Sequence, residues 1–460
     1  MNLNEWFLLF LSFNLIIFGG SYKLFKLAGV EGWKSLIPIY NIVKHLDIIN
    51  RPRWWAILVF IPVINLLMIP VIWIEFIKTF NHNSKLDRLL VIFTLGFYIY
   101  YISYLSSKTK YIGKISFSNF EKSIGSFIWA IVFATIVHNY ILQPFVIPTG
   151  SLEKTLRVGD FLLVSKFHYG ARIPSTVLSF PMVHDTIPII KSRSYLNKPQ
   201  LPYLRIPGFQ EIKNNDIVVF NWPADTVRKF FVKEKGVIKP RDKKSNYVKR
   251  AIGIPGDTLE IKDGVIYLNG IQNILPDRAK PLFTYLIKSN KGVSSSKLIN
   301  LEIDGFIRKF IISNLSNDSY TEISKYILNI SNTKENEYVV YTYDKGIPID
   351  VVREYGLDIR EIIDNKKELN LTYLDAVKIK NSNEFDTIYR LTEKINVSNS
   401  NFFPNNKRFT WNNDQLGPLY IPRAGDKIDL TISLLPLYKK IITDYEYNEL
   451  SVVEGDILIN

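Results

Sequence analysis

The sequence predicts transmembrane α-helices followed by an all-β domain that carries a large mixed insertion. Three observations predict this. Apolar residues concentrate in the first 150 of 460 residues, in runs long enough to cross a bilayer. From Pro148 onward, short β-branched runs are bounded by Gly, Pro, Asn and Asp, as strands are. Beyond residue 277 the pattern becomes mixed, yet Ile, Leu, Tyr and Phe persist, so this stretch is expected to fold.

Bulk composition narrows the function classes. The net charge is +14. An excess of Lys and Arg suits retention near anionic lipid. No Arg/Lys stripe interleaved with aromatics supports nucleic-acid binding. The chain has no cysteine, which excludes disulfides, thiol nucleophiles and Cys-ligated metals. Its five histidines are His45, His82, His138, His168 and His184. None forms an HxxxH or HExxH pair, so no zinc protease site is expected and no metal or other cofactor is implied.

Four runs are read as spans: Glu5–Gly20, Trp54–Ile74, Leu89–Leu105 and Ile124–Val146. The first lacks a positive n-region and an Ala-x-Ala end, unlike a cleaved signal peptide. Trp6, Trp54 and Trp55 stand where interface anchors belong. Loop charge sets the orientation. Residues 21–53 carry Lys23, Lys26, Lys34, Lys44, Arg51 and Arg53, and residues 106–122 carry Lys108, Lys110, Lys114 and Lys122. The N-terminus before Trp6 carries none, and the loop 81–88 only Lys85 and Arg88. The positive-inside rule puts 21–53 and 106–122 in the cytoplasm, so the fourth span runs outward. His138, inside that span, fits a helix–helix or interface hydrogen bond better than a proton relay.

The expected domains are therefore a membrane region 1–122 with about three spans, a further transmembrane helix at 123–147, a β-rich core at 148–276 and an insertion at 277–460. In the core, 161–165, 216–221 and 258–261 read as strands. Asp263-Gly264 joins two short strands as a tight hairpin does. Proline and glycine punctuate 170–210, an extended excursion. Within the insertion, 320–331 and 350–366 suggest helices, and 402–422 looks extended and aromatic.

Ser151 lies just past the fourth span, in Pro144-Phe-Val-Ile-Pro-Thr-Gly-Ser151-Leu. A serine hydroxyl is a weak nucleophile and needs a base. No His-Asp arrangement near it is visible. A lysine serves only when unprotonated. At its ordinary pKa about one lysine in 2,500 is neutral at pH 7. Lowering that pKa to about 7–8 takes roughly 3–5 kcal/mol of desolvation or like-charge repulsion. Lys249 is flanked by Val248 and, past Arg250, by Ala251-Ile252, an apolar setting for such a base. On its own, a lysine there reads as an ordinary surface residue of a strand.

The surrounding words change that reading. Pro144-Phe-Val-Ile-Pro-Thr-Gly-Ser-Leu152 resembles the nucleophile motif of type I signal peptidases, also called leader peptidases. Tyr247-Val-Lys-Arg-Ala-Ile-Gly-Ile-Pro-Gly-Asp257 resembles their lysine motif, and 215–220 and 158–166 resemble the neighbouring strands. The resemblance covers about 145–270. It implies an all-β catalytic domain of the signal-peptidase-type β fold. It also implies a membrane serine endopeptidase with a Ser–Lys dyad, cutting signal peptides from exported preproteins after small residues of the Ala-x-Ala type.

Carried over residue by residue, the resemblance makes Ser151 the nucleophile and Lys249 the general base. The Ser151 N–H and the Thr149 hydroxyl become the oxyanion hole, where one missing donor costs about 3–4 kcal/mol. Phe145, Ile147, Leu152 and Val248 line the substrate pockets, and Arg250 holds the fold. The implied partners are signal peptides of exported preproteins, membrane lipid and the secretion translocon, with no nucleic acid. The implied location is the bacterial inner membrane, multi-pass, with the catalytic domain on the outer, periplasmic face. A membrane-tethered serine then meets a membrane-tethered scissile bond at high effective concentration.

Two departures stand out. Leu152 replaces the family's usual Met, a swap that conserves volume. The family's third motif, Gly-Asp-Asn-Arg followed by Ser-x-Asp-Ser-Arg, supplies a serine that orients the lysine. It does not occur in 1–460; Gly425-Asp426 continues as Lys-Ile-Asp. The last residues, Glu454-Gly-Asp-Ile-Leu-Ile-Asn460, echo Asp263-Gly-Val-Ile-Tyr-Leu-Asn269. The chain is accordingly expected to stop before the last core strands; a split gene or a degenerate enzyme are the alternatives. The rival to the enzyme reading is a catalytically inactive homologue acting as a membrane binding or scaffold protein. A multi-span transporter or sensor with an outer β domain would need paired charges inside the spans, and the sequence suggests none.

Overall fold

The computed structural model describes residues 3–113, 115–227, 236–334, 336–399 and 401–460; Lys114 therefore lies outside the described residues. Two compact units divide the chain. The first holds 1–147, 159–213 and 217–249, and the second holds 148–158, 214–216 and 250–460.

The first unit begins with helices α1 (Leu3–Leu27), α2 (Tyr40–Ile48), α3 (Trp55–Phe60), α4 (Asn65–Thr79), α5 (Lys85–Phe93), α6 (Tyr98–Tyr100) and α7 (Asn119–Ile136). Short π turns extend α6 to Leu105 and α7 to Ile141. Ser118 starts α7: its hydroxyl accepts from the Glu121 N–H, and the Glu121 carboxylate accepts from the Ser118 N–H, a capping box. Among the described residues one helix, Asn119–Ile141, is long and apolar enough to cross a membrane. α1 joins it if its halves Asn4–Ile17 and Gly19–Leu27, bent by 43°, count as one span.

The four expected spans need correction. The fourth begins at Asn119 and ends at Ile141, not Val146, because Pro144 cannot continue a helix and biases its neighbour toward extended backbone. The second and third, Trp54–Ile74 and Leu89–Leu105, are each broken into two helices that fold back. A straight helix of 20 residues is about 30 Å long. Yet Arg51, before the second segment, makes a bidentate pair with Glu75, after it, at 2.7 Å for both bonds. Likewise Ser106, after the third segment, lies 3.3 Å from His82, before it. Lys78 and Arg88 both reach Glu121, at 2.9 and 3.0 Å. Arg51, residues 75–88 and residues 106–121 thus gather in one polar cluster, so the loop 81–88 is not at an end opposite to 106–121. The paired charges that the sequence did not reveal lie at this end.

Apolar side chains fill the space between these helices. Leu24, Phe25, Leu46, Ile64, Phe76 and Ile102 are fully buried. Beyond α7 the unit turns to strands. β1 (Leu142–Val146) pairs antiparallel with β2 (Phe161–Ser165), with Phe145 opposite Leu162. β3 (Ile217–Asn221) pairs with β4 (Asn246–Arg250). Between β2 and β3, 171–206 forms an irregular ribbon with bridges Arg172–Arg205, Thr176–Gln200, Ser179–Tyr195 and Thr186–Arg193.

In the second unit, β5 (Thr258–Lys262), β6 (Val265–Leu268) and β7 (Ile271–Gln272) form a meander. Asp263 and Gly264 both have positive φ, 48° and 69°, as the expected tight turn demands. The extended stretch expected at 402–422 contributes Leu416–Tyr420, which pairs with β5. This strand lies inside the expected insertion 277–460 and completes a four-stranded sheet with the core meander.

The segment 277–460 mixes strands and helices. One layer has Phe283–Lys288 between Lys366–Leu371 and Thr387–Arg390, packed on the helix Tyr373–Ser382. Ile287, Leu298, Leu371 and Ile379 are its buried centre. A second sheet has Ile307–Ser313 at its middle, where alternation buries Phe310 and Ile312. The two helices expected here are each half right. The stretch 320–331 is divided between the helix Asn317–Ile323 and the strand Ile327–Lys334. In 350–366 the helix Ile349–Glu354 precedes the strand Asp358–Glu361. β-branched and aromatic residues after each helix favour pairing in the sheet over a longer helix.

Candidate active site

Ser151 is presented by a closed loop. At its base the Ile147 N–H donates to Asp160 O at 3.0 Å, and the Gly159 N–H donates to Ile147 O at 2.9 Å. Thr149 is extended (φ −138°, ψ 149°) and leads into a 3-10 turn, Gly150–Leu152. The Glu153 N–H closes that turn on Gly150 O at 2.9 Å, and the Thr155 and Leu156 N–H groups both donate to Leu152 O, at 2.9 and 2.8 Å. Ser151 and Thr149 are exposed, and Leu152 is half-buried.

The loop is gripped from the insertion within the second unit. The Thr155 hydroxyl donates to Arg278 O at 2.9 Å. Lys154, which takes φ +66°, pairs with Asp304, and Arg157 lies 3.6 Å from the same carboxylate. A non-glycine residue at positive φ needs such support.

In the first unit, β1 carries Phe145, half-buried, and Ile147, just past the end of that strand, is buried. The Lys166 amine stands 5.8 Å above the Phe145 ring. Burial, with the Arg172 guanidinium nearby, pushes the Lys166 amine down to about 8. β4 carries Val248 and Lys249, both half-buried, and the Lys249 amine lies 5.9 Å from the centre of the Tyr247 ring. Trp222 packs on that ring at 5.5 Å.

The structure brings Thr149, Ser151 and Leu152 together on one turn, and Val248 and Lys249 on one strand. Ser151 belongs to the second unit and Lys249 to the first. Arg250 donates to Asn215 O at 2.8 Å, a backbone anchor. Among the described residues no group of three His, Asp or Glu is placed to hold a metal ion.

Four residues outside the expected set support these elements within their own units. Asp257 ends the Gly-Ile-Pro-Gly-Asp turn. It accepts from the Ile254 N–H at 2.9 Å and from the Asn214 and Asn269 amides at 2.8 and 2.9 Å. The Ile254 N–H, with those amides, holds its carboxyl below the usual range. The Gly-x-Pro-Gly-Asp spelling could have signalled this. Thr155, Asp304 and Lys166 carry no such signal, since their partners are distant in sequence or come from packing.

Comparison with known proteins gives a consistent picture. Residues 121–297 match the family model "Signal peptidase, peptidase S26". Residues 33–114 match a family of unknown function, DUF5684. Signal peptidase I of Rickettsia massiliae is 32% identical over 145 residues, covering 32% of this chain and 41% of that protein. The Rickettsia typhi protein of the same name is 31% identical over 149 residues, 32% and 43% of the two chains. That of Rickettsia akari is 31% identical over 156 residues, 33% and 46%. The chain thus spans less than half the length of these curated relatives. No solved structure matches. Over residues 121–297, which include both the serine loop and the lysine strand, this chain is related to the type I signal peptidases.

Proposed function

We propose that the protein is a membrane-bound serine endopeptidase that removes signal peptides from exported preproteins after Ala-x-Ala-type sites. One observation carries this reading. Ser151 sits exposed in a tight turn ten residues beyond Ile141, the end of the helix long and apolar enough to cross a membrane. A substrate held in the same bilayer presents its cleavage site near that level.

In this reading Ser151 Oγ attacks the scissile carbonyl while the neutral Lys249 amine takes its proton. The oxyanion is met by the Ser151 N–H and the Thr149 hydroxyl. Lys249 returns the proton to the leaving amine and then activates the water that frees Ser151. Phe145, Ile147, Leu152 and Val248 line shallow apolar pockets for small side chains. The β domain lies on the outer face of the bacterial inner membrane. α1 and α7 are the two segments that cross, and the folded-back pairs α3–α4 and α5–α6 stay with the cytoplasmic end. The secretion translocon is the expected neighbour.

The test uses the full-length protein in nanodiscs and an Ala-x-Ala preprotein. Ser151→Ala and Lys249→Ala are each expected to slow cleavage by about 10³-fold or more. Undiminished cleavage by both variants removes the Ser–Lys mechanism. No cleavage by the unaltered chain, with signal-peptide binding retained, would instead support an inactive homologue that binds signal peptides.

A further inference from the structure

We propose that the tip of the ribbon, Thr186–Arg193, is a membrane-docking element that inserts Ile189 and Ile190 into an anionic bilayer surface. This rests on the reading of α1 and α7 as membrane helices.

The tip is built where a turn normally carries small polar residues. The Ile187 N–H donates to Ser192 O and the Lys191 N–H to Ile187 O, both at 2.9 Å, and this closes the turn. At its apex Ile189 is 93% exposed and Ile190 69% exposed. Two adjacent isoleucines so open to water contribute little to the packing of their own unit. They are the kind of side chain that leaves water for an acyl boundary.

The stem is stiff, so the tip is presented rather than trailing. Asp242 accepts from the Thr176 N–H at 3.1 Å and from the Thr176 and Ser175 hydroxyls at 2.7 and 2.9 Å. Lys243 is buried and donates to Ser179 at 2.6 Å. The Arg193 guanidinium stacks on Tyr195 at 5.4 Å.

Charge and position select lipid as the occupant. Residues 186–210 contain Lys191, Arg193, Lys198 and Arg205 and no Asp or Glu. The tip itself bears Lys191 and Arg193, with Asp185 at its base bonded to the Thr186 hydroxyl, and an apolar tip with adjacent basic residues complements an anionic headgroup layer. The stem also touches the start of α1: the Trp6 indole N–H donates to Gln200 O at 2.9 Å. Trp6 is the expected interface anchor at the outer end of that helix. The ribbon therefore starts from the membrane boundary within its own unit.

The absence of cysteine makes the test clean. Single cysteines replace Ile189, Phe127 (exposed on α7) and Ile274 (exposed in the second unit). Each full-length variant is labelled with an environment-sensitive fluorophore and reconstituted in phosphatidylcholine–phosphatidylglycerol vesicles. The Ile189 and Phe127 labels are expected to shift to the blue and lose about half their intensity or more to a lipid-borne quencher. The Ile274 label should respond to aqueous iodide alone. In the labelled Ile189→Cys protein, adding Lys191→Glu and Arg193→Glu should weaken lipid quenching. An iodide-accessible, lipid-insensitive Ile189 label beside a lipid-quenched Phe127 label overturns the docking and leaves the membrane reading standing. An Ile189 label shielded from iodide but untouched by lipid assigns the tip to a protein partner or a second copy, and also overturns it. A Phe127 label without lipid quenching overturns the membrane reading itself.

Discussion

The hydroxyl of Thr155, four residues beyond Ser151, donates to the backbone carbonyl of Arg278 at 2.9 Å, where the chain enters the insertion. With the Lys154–Asp304 pair, this ties the loop that carries the proposed nucleophile to 278–304. A serine loop fixed in this way keeps its hydroxyl in one place, the condition for attack on a bound carbonyl.

Thr155→Val should therefore slow cleavage at saturating substrate. One such hydrogen bond is worth about 1 kcal/mol, or roughly fivefold in rate. Asp304→Asn should add to the loss, with KM little changed. Steady-state kinetics on the two single variants and the double variant, beside thermal unfolding of each, separate loop positioning from general destabilisation.

The depressed Lys166 amine gives a pH dependence whose sign is fixed. Its folded pKa, about 8, lies below the ordinary 10.5, so burial disfavours the charged form. The unfolded chain binds more protons between those values, and stability should rise as pH climbs from 8 toward 10.5. Lys166→Met should stabilise the protein at pH 7 by on the order of 1–2 kcal/mol, allowing for solvent screening of a half-exposed amine. That advantage should shrink across the same window. Thermal unfolding of both proteins from pH 7 to 10.5 checks it, and a gain that does not vary with pH would contradict the assignment.

Asp257→Ala should destabilise the second unit by about 2–4 kcal/mol, because it strands the Ile254 N–H and the Asn214 and Asn269 amides. Asp257→Asn keeps the shape and one acceptor, so it should cost less. Urea unfolding curves of the two variants read the difference.

The proposed topology rests on Lys/Arg placement together with the folded-back helices. A cysteine at Ile274 should react with a membrane-impermeant maleimide in intact spheroplasts. Cysteines at Lys34 and at Lys85 should react only after permeabilisation. Labelling of the Lys85 site from outside would restore full crossings for Trp54–Ile74 and Leu89–Leu105.

The sequence by itself determined the helix that ends near Ser151, the strands Phe161–Ser165 and Thr258–Lys262, the Asp263-Gly264 turn and the two motif words. Each is a local matter of side-chain period, turn chemistry or spelling, and needs no distant partner. Only the tertiary structure decided that Trp54–Ile74 and Leu89–Leu105 fold back. Hydropathy counts apolar residues but does not register that Arg51 meets Glu75 and that Lys78 meets Glu121. It also decided that Leu416–Tyr420 returns to the core sheet beside β5, and that Asp304 and Arg278 grip the serine loop. These partners stand roughly 25 to 160 residues apart. Such pairings are chosen by the burial and hydrogen bonding of the whole chain, which no local window of sequence contains.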